Sequence, residues 1–395
     1  MTRIASILLL LGSSLPEAMA DGIDFNRDIR PILSDKCFHC HGPDAQNQKS
    51  DYQLDSRDNA LASLGGGFHG IVPGKPEECE LHRRIHLASG DSDLMPPADS
   101  NRQLSAREKE LLTTWIREGA EYDVHWSFKP LVRPELPLVE EAALQERVAN
   151  PIDSFSFAKL ARVDLSPAPP ASLESRLRRA SLTLTGLPPR VEDVERALAA
   201  DDANAAYAAF VDELLVSPDY AERQALRWLS AARYADTDGY QIDSERSNWP
   251  WRDWVIKAFG ENMPFDRFTI EQLAGDMLPD ATPEQVLASA FNRNHRQNAE
   301  GGALADEFFV ENVIDRVETT STVWLGLTMG CARCHDHKSD PLTQREFYQL
   351  FGYFINIGER GTGKGFQANP VQSFRSPLVE LPASQVAALE EAQAE

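Results

Sequence analysis

The sequence predicts a mainly α protein: a small helical domain, a proline-rich crossing, then a larger all-α domain. Three observations carry that expectation. Apolar residues recur at helical spacing in segment after segment, and several of those segments open on a capping residue. Clear runs of period two, the mark of half-buried strands, are scarce. Prolines cluster at Pro130, Pro134, Pro137 and Pro151, between two regions that each carry helices of their own.

The first twenty residues (1–20) read as an export signal peptide. Arg3 gives a short positive start, Ile4 to Leu11 a compact apolar run, and Ala18-Met19-Ala20 the small-x-small pattern that signal peptidase cleaves after. That run is short for a bilayer and no later stretch approaches the required length, so no membrane span is expected after cleavage. The mature chain is expected to begin near Asp21, in a periplasm or otherwise exported. A net charge of -22 argues against nucleic acid, because nothing would neutralise phosphates, and disfavours an anionic membrane surface. An acidic face suits a basic redox partner, whose identity the sequence does not give; solubility alone accounts for the same charge.

Four of the five cysteines sit in two Cys-x-x-Cys-His strings, Cys37-Phe38-His39-Cys40-His41 and Cys331-Ala332-Arg333-Cys334-His335. Two thiols one helical turn apart can form thioethers with the two vinyl groups of one haem. The following His then offers its imidazole to the iron. A four-cysteine zinc site would have to join pairs on either side of residues 41–330, far outside ribbon spacing. Two local disulfides suit an exported chain, and a thioredoxin-like motif would need a βαβ context. Neither explains a His after both pairs. Two covalently attached haem c groups are therefore expected, bound through Cys37, Cys40, Cys331 and Cys334, with His41 and His335 as iron ligands. Cys79 is left over, as a buried or inert thiol or one that pairs between molecules.

Residues 22–125 form the first domain. Phe25 to Ser34 reads as an amphipathic helix that Pro31 must bend or shorten. After the Cys-x-x-Cys-His string come a loop rich in glycine, a helical stretch around Leu81 to Leu87, and Leu94-Met95-Pro96-Pro97. Met95, on a loop stiffened by the two prolines, is expected as the sixth iron ligand; His69, His82 and His86 compete for the role. Ser105 with Glu108 is a capping box, and Leu111, Leu112, Trp115 and Ile116 give that helix its apolar face. The order of elements is that of a small class I cytochrome c. Phe25-Asn26-Arg27-Asp28-Ile29-Arg30-Pro31-Ile32-Leu33 running into the haem string, with Met95-Pro96-Pro97 behind it, resembles the planctomycete-type cytochrome c domain. His125-Trp126-Ser127-Phe128-Lys129-Pro130 is similar to the junction those proteins use.

Residues 126–149 read as a linker and 150–365 as a helical domain. Helices are predicted over Leu173 to Leu184, Ala205 to Leu215, Pro218 to Ala235, Asp253 to Phe259, Phe265 to Leu273, Pro283 to Ala290, Asp306 to Glu318 and Glu346 to Phe354. Asn292-Arg293-Asn294-His295 and Cys331-Ala332-Arg333-Cys334-His335-Asp336-His337-Lys338 make this stretch resemble the cytochrome-associated DUF1549 domain of large exported proteins. His295 is expected as sixth ligand of the second haem, with Met277 and Met263 as weaker candidates and an open position as the remaining alternative. His337 lies too near His335 to reach the opposite face, and a propionate or supporting role suits it. Arg293, Arg296 and Arg333 could pair with propionates.

Residues 366–395 read as the start of a further, truncated region: the helical run from Gln385 stops at Glu395 without a C-cap signal. The resemblance implies a further domain after Glu395, through which a polysaccharide or organic substrate could be handled. Two functions compete. An exported dihaem carrier needs two six-coordinate haems and no substrate pocket. A haem-dependent oxidoreductase or peroxidase needs an open iron position and a pocket. For the latter, Asp236, Asp238, Asp243 and Glu245 could line a site with Trp249 and Trp251, and carboxylates among aromatics also suit a carbohydrate module. An acidic surface loop is the simpler account of that stretch, and an electron carrier the preferred reading over a stand-alone enzyme.

Overall fold

Helix accounts for 55% of the structure and strand for 2%, which is the mainly α class. The structure, a computed structural model, describes residues 22–357 except 45–47, 241–242, 299 and 301. The expected leader over 1–20 and the C-terminal region 366–395 lie outside the described residues. Among the described residues no helix is long and apolar enough to cross a membrane. The chain divides into two units. One reaches Leu131 and takes in Cys334–Gln344; the other holds Val132–Arg333 and the chain from Arg345. The sequence keeps 150–365 together, whereas the division falls inside the second Cys-x-x-Cys-His string.

In the first unit the Asp24 carboxylate accepts the Arg27 amide at 2.7 Å and starts a helical run that continues to His41. The expected break at Pro31 takes another form. Wide π-type turns, Phe25–Ile29 and Leu33–Cys37, flank the short α-turn Arg30–Ile32. Pro31 has no amide hydrogen to donate, and longer-range turns on either side let the chain keep its direction without that bond. The run ends in α1, Phe38–His41. A two-stranded antiparallel ribbon, β1 (Ser63–Gly65) and β2 (Phe68–His69), was not expected. Its turn uses Gly65, Gly66 and Gly67, all at positive φ, which is what the three consecutive glycines supply.

Besides the short helix Arg57–Leu61, this unit holds α2 (Glu80–Ile85) and α3 (Ala106–Arg117). The capping box at α3 forms as read: Ser105 Oγ accepts the Glu108 amide at 3.2 Å and the Glu108 carboxylate accepts the Ser105 amide at 2.7 Å. Leu112, Trp115 and Ile116 then bury against Phe25, Ile29 and Leu33 from the N-terminal run. The Phe25 and Tyr122 rings close that core at 4.6 Å between centroids.

The second unit packs its helices in several clusters, a small one of which (Val139, Leu144 and Phe157) joins the helices Ala142–Gln145 and Pro151–Ala161. Leu177, Ala180, Ala197 and Phe210 join α4 (Leu173–Leu184), α5 (Val191–Leu198) and α6 (Ala203–Leu215). The larger cluster is aromatic and joins α7 (Pro218–Ala231), α8 (Trp249–Gly260), α9 (Phe265–Ala274) and the stretch around Phe291. Trp254 stacks on Phe268 at 5.6 Å, while Trp228 meets both Phe268 and Trp324 edge-on at 4.9 and 4.7 Å. Trp251, a pocket candidate under the enzyme reading alone, is fully buried in this cluster. The amphipathic stripe of α8 points it inward, where a ring of that size contributes most. Trp251→Ala is expected to cost about 3–5 kcal/mol by leaving a void that the rigid aromatic neighbours cannot fill. Chemical denaturation measures it, and a loss below about 1 kcal/mol would mean that the core collapses onto the gap. Last come α10 (Ala305–Thr320) and α11 (Gln344–Phe354).

Candidate haem sites

The first string sits where a helical run ends. Cys37 and Cys40 are half-buried free thiols, and His41 is the last residue of α1. The chain then folds back over them: the Lys49 amide donates to Cys40 O at 3.2 Å and the Leu54 amide to His41 O at 2.7 Å. His41 Nδ1 lies 2.9 Å from Tyr52 O. A carbonyl only accepts, so Nδ1 carries the proton and the lone pair available to iron is on Nε2. Tyr52 is itself locked, its hydroxyl donating to Ala60 O at 3.0 Å. Its ring fills the space beside Gly70, where an added Cβ would fall 2.1 Å from the ring; no other residue fits. Burial raises the Cys37 thiol to about 12, so without haem it stays protonated at neutral pH.

Met95 is half-buried between the buried Leu94 and Pro96. Its amide donates to Arg84 O at 3.3 Å, and Gln103 Nε2 donates to Pro97 O at 2.7 Å, so the loop is tied both to α2 and to the stretch ahead of α3. Of the competing histidines, His69 and His86 are exposed. His86 Nδ1 donates to His82 O at 2.9 Å, and desolvation lowers the pKa of His82. Cys79 is buried, its sulfur accepting the Val72 amide at 3.0 Å, and desolvation raises its thiol.

The second string begins on a 3₁₀ turn, Gly330–Arg333, anchored by the fully buried Ala332. Arg333 meets Glu311 through two bonds, the shorter 2.6 Å, and Arg333 O accepts from the Tyr348 hydroxyl at 3.1 Å. Arg333 is thus committed to Glu311. Cys331 and Cys334 are exposed free thiols. In the first unit, His335 Nδ1 lies 2.7 Å from Asp336 O, which again leaves the lone pair on Nε2. His337 Nδ1 accepts the Asp340 and Ser339 amides at 2.9 and 3.3 Å, so it staples a loop. Arg30 holds the same loop through Ser339 O at 3.0 Å.

His295 does not have the freedom expected of a sixth ligand. It is 4% exposed, its Nδ1 lies 2.9 Å from Arg296 O, and its Nε2 lies 3.0 Å from an Arg316 guanidinium nitrogen. A guanidinium only donates, so the Nε2 lone pair is already used. Arg246 adds a bond to His295 O at 2.8 Å. Periodicity marks apolar burial alone, so the burial of this polar loop left no signal in the sequence. Met277 is exposed and Met263 packs against the aromatic cluster.

The described parts of the acidic stretch, with Asp236, Asp243 and Glu245 exposed, make specific bonds. Thr237 and Glu245 form a bridge, the Asp238 amide donates to Ser244 O at 2.9 Å, and Asp243 accepts the Gly239 amide at 2.7 Å. Asp236 takes the Tyr234 hydroxyl at 2.5 Å. Asp238 and Arg246 turn inward and are buried. Desolvation raises the Asp238 carboxyl against the opposing pull of Arg246.

Two unbridged thiols followed by a histidine whose Nδ1 is held by a backbone carbonyl are the donors that a covalent haem requires, and the first string presents them. The Planctomycete cytochrome C family model matches residues 37–99. That stretch is a cytochrome c-type haem domain, which implies covalently bound haem c. No curated protein and no solved structure matches the chain. The model described as Protein of unknown function (DUF1549) matches residues 151–359, over half of the sequence, so the chain belongs to the DUF1549 family and carries a planctomycete cytochrome c domain ahead of it.

Proposed function

We propose that the chain is an exported dihaem c-type cytochrome that transfers electrons. One haem would be held by Cys37, Cys40, His41 and Met95, the other by Cys331, Cys334 and His335. The observation that carries this reading is the repeated histidine geometry: His41 and His335 each give the Nδ1 proton to a backbone carbonyl, at 2.9 and 2.7 Å, and turn Nε2 outward from that bond. A structural disulfide or a zinc pair would not require a following His in that tautomer twice over. The carbonyl bond fixes the ring plane and makes the imidazole a stronger donor to iron. Bound haem supplies one-electron redox chemistry whose potential follows from its axial ligands and burial.

The first domain contributes rigidity as well as ligands. Tyr52 holds His41 from one side, and the tied Met95 loop offers a thioether on a short, fixed stretch. A thioether opposite an imidazole favours the reduced state and a high potential. The test is a haem count on chain matured in a periplasm with its attachment machinery, combining intact mass with a pyridine haemochrome titration. Two haems per chain are expected. One haem would leave the second string as a disulfide or free thiol pair, and none would remove the cytochrome reading entirely. An oxidoreductase remains the second reading, favoured by one feature of the second unit, its polar cavity.

A further inference from the structure

In the second unit a cavity of about 370 Å³ opens beside Thr237, Asp238, Gly239, Arg246 and α10. Part of its charge is internally neutralised. Arg233 meets Asp315 at 2.5 Å and Arg333 meets Glu311 at 2.6 Å. Two wall atoms are different. Asp238 is 4% exposed, and its Oδ1 has no hydrogen-bond partner. Asn294 is 6% exposed; its Oδ1 takes the Asn248 amide at 2.8 Å, but its own Nδ2 has no acceptor. A buried polar atom left unsatisfied costs about 1–3 kcal/mol, so an unfilled acceptor and an unfilled donor on one wall mark a place for a ligand.

We infer that this cavity binds a hydroxyl-rich neutral molecule of about sugar size, oriented by Asp238 and Asn294. The class follows from the wall. A free anion would meet Asp238 and Glu318, and a cation would meet the arginines. A hydroxyl donates to one orphan atom and accepts from the other, and a polyol repeats that offer along its length. The volume lies at the small end of ligand sites, about 300–1,000 Å³. Asp238 is also held in place from both sides, its amide by Ser244 O and its carbonyl by the Gln297 amide, each at 2.9 Å. At the rim the exposed Arg296 lies over the Tyr240 ring at 5.3 Å, a flat surface of the kind a sugar face packs on.

Binding is measured on the full haem-loaded chain by calorimetry and saturation-transfer NMR. The probes are methyl glycosides of neutral hexoses, the corresponding hexuronic acids and inorganic phosphate. A neutral glycoside is expected to bind, and Asp238→Ala, with unchanged helicity, to weaken it at least tenfold, as for loss of a hydrogen bond to a carboxylate acceptor. If that variant does not fold, Arg296→Ala decides, since it removes only the exposed rim and is expected to weaken binding about threefold. Three results overturn the assignment: no glycoside binds, leaving water as the only occupant; binding is indifferent to the folded variants; or the acids and phosphate bind in preference. None of these depends on the haem count, because the same titration on a chain with Cys331 and Cys334 replaced by Ala reads the cavity alone.

Discussion

His295→Ala is expected to lower the melting temperature of the second unit by roughly 6–12 °C and to leave the spin state of every haem unchanged. The stability loss comes from the centre of a buried polar assembly. Arg316, 3% exposed, donates from Nε to Asn292 O at 2.8 Å and from its terminal nitrogen to His295 Nε2 at 3.0 Å. Removing the imidazole withdraws an acceptor from a buried charge and leaves a void beside it, together about 3 kcal/mol. The spectral half of the prediction separates this account from a ligand role. A sixth ligand lost to Ala would convert a low-spin haem to high spin. His295→Gln is a further control: its side-chain oxygen can accept from Arg316, so it should recover part of the stability. A high-spin signal with an unchanged melting curve would instead return His295 to the iron.

The contrast between α4 and His295 shows how much was legible in the sequence. Helix α4 begins and ends on the residues that cap and periodicity mark, and the Ser105 box forms both of its bonds. Those signals are local: a side chain meets an amide three residues away, or an apolar stripe repeats every three or four positions. The two Cys-x-x-Cys-His strings are local in the same sense. What escaped was polar burial. Asp238, Arg246, Asn248, Asn294, His295 and Arg316 come from three separate segments, and each looks solvent-facing in its own window. Only long-range contacts such as Arg246 to His295 O satisfy them, and nothing in residue spacing announces such a bond. The π-turns around Pro31 escaped for a related reason. Proline signals that one hydrogen bond is missing, whereas the packing of Ile29 and Leu33 decides how the chain continues.

Replacing Cys331 and Cys334 together by Ala is expected to halve the haem content while leaving the absorption spectrum of the first haem intact. Both thiols are exposed and neither is bridged, so the polypeptide loses almost no packing. The turn that carries Cys331 keeps its anchors in Ala332, the Arg333–Glu311 pair and the bond from the Tyr348 hydroxyl. Exposed substitutions of this kind change stability by about 0.5 kcal/mol or less, so circular dichroism of the unloaded chain should not register them. The matching pair at Cys37 and Cys40 should behave differently. Cys37 is half-buried against Phe38, Leu33 and their neighbours in the first core, and its desolvated thiol is pushed to about 12. Its truncation should remove one haem and also soften the core by about 1 kcal/mol, a cost that appears even without haem. The asymmetry is what makes the comparison decisive. If the exposed pair proves neutral in haem content while the half-buried pair abolishes all of it, the chain is a single-haem cytochrome whose second string has another use. If each pair removes one haem, and only the first also destabilises the unloaded chain, both strings attach haem and the first alone is part of a core.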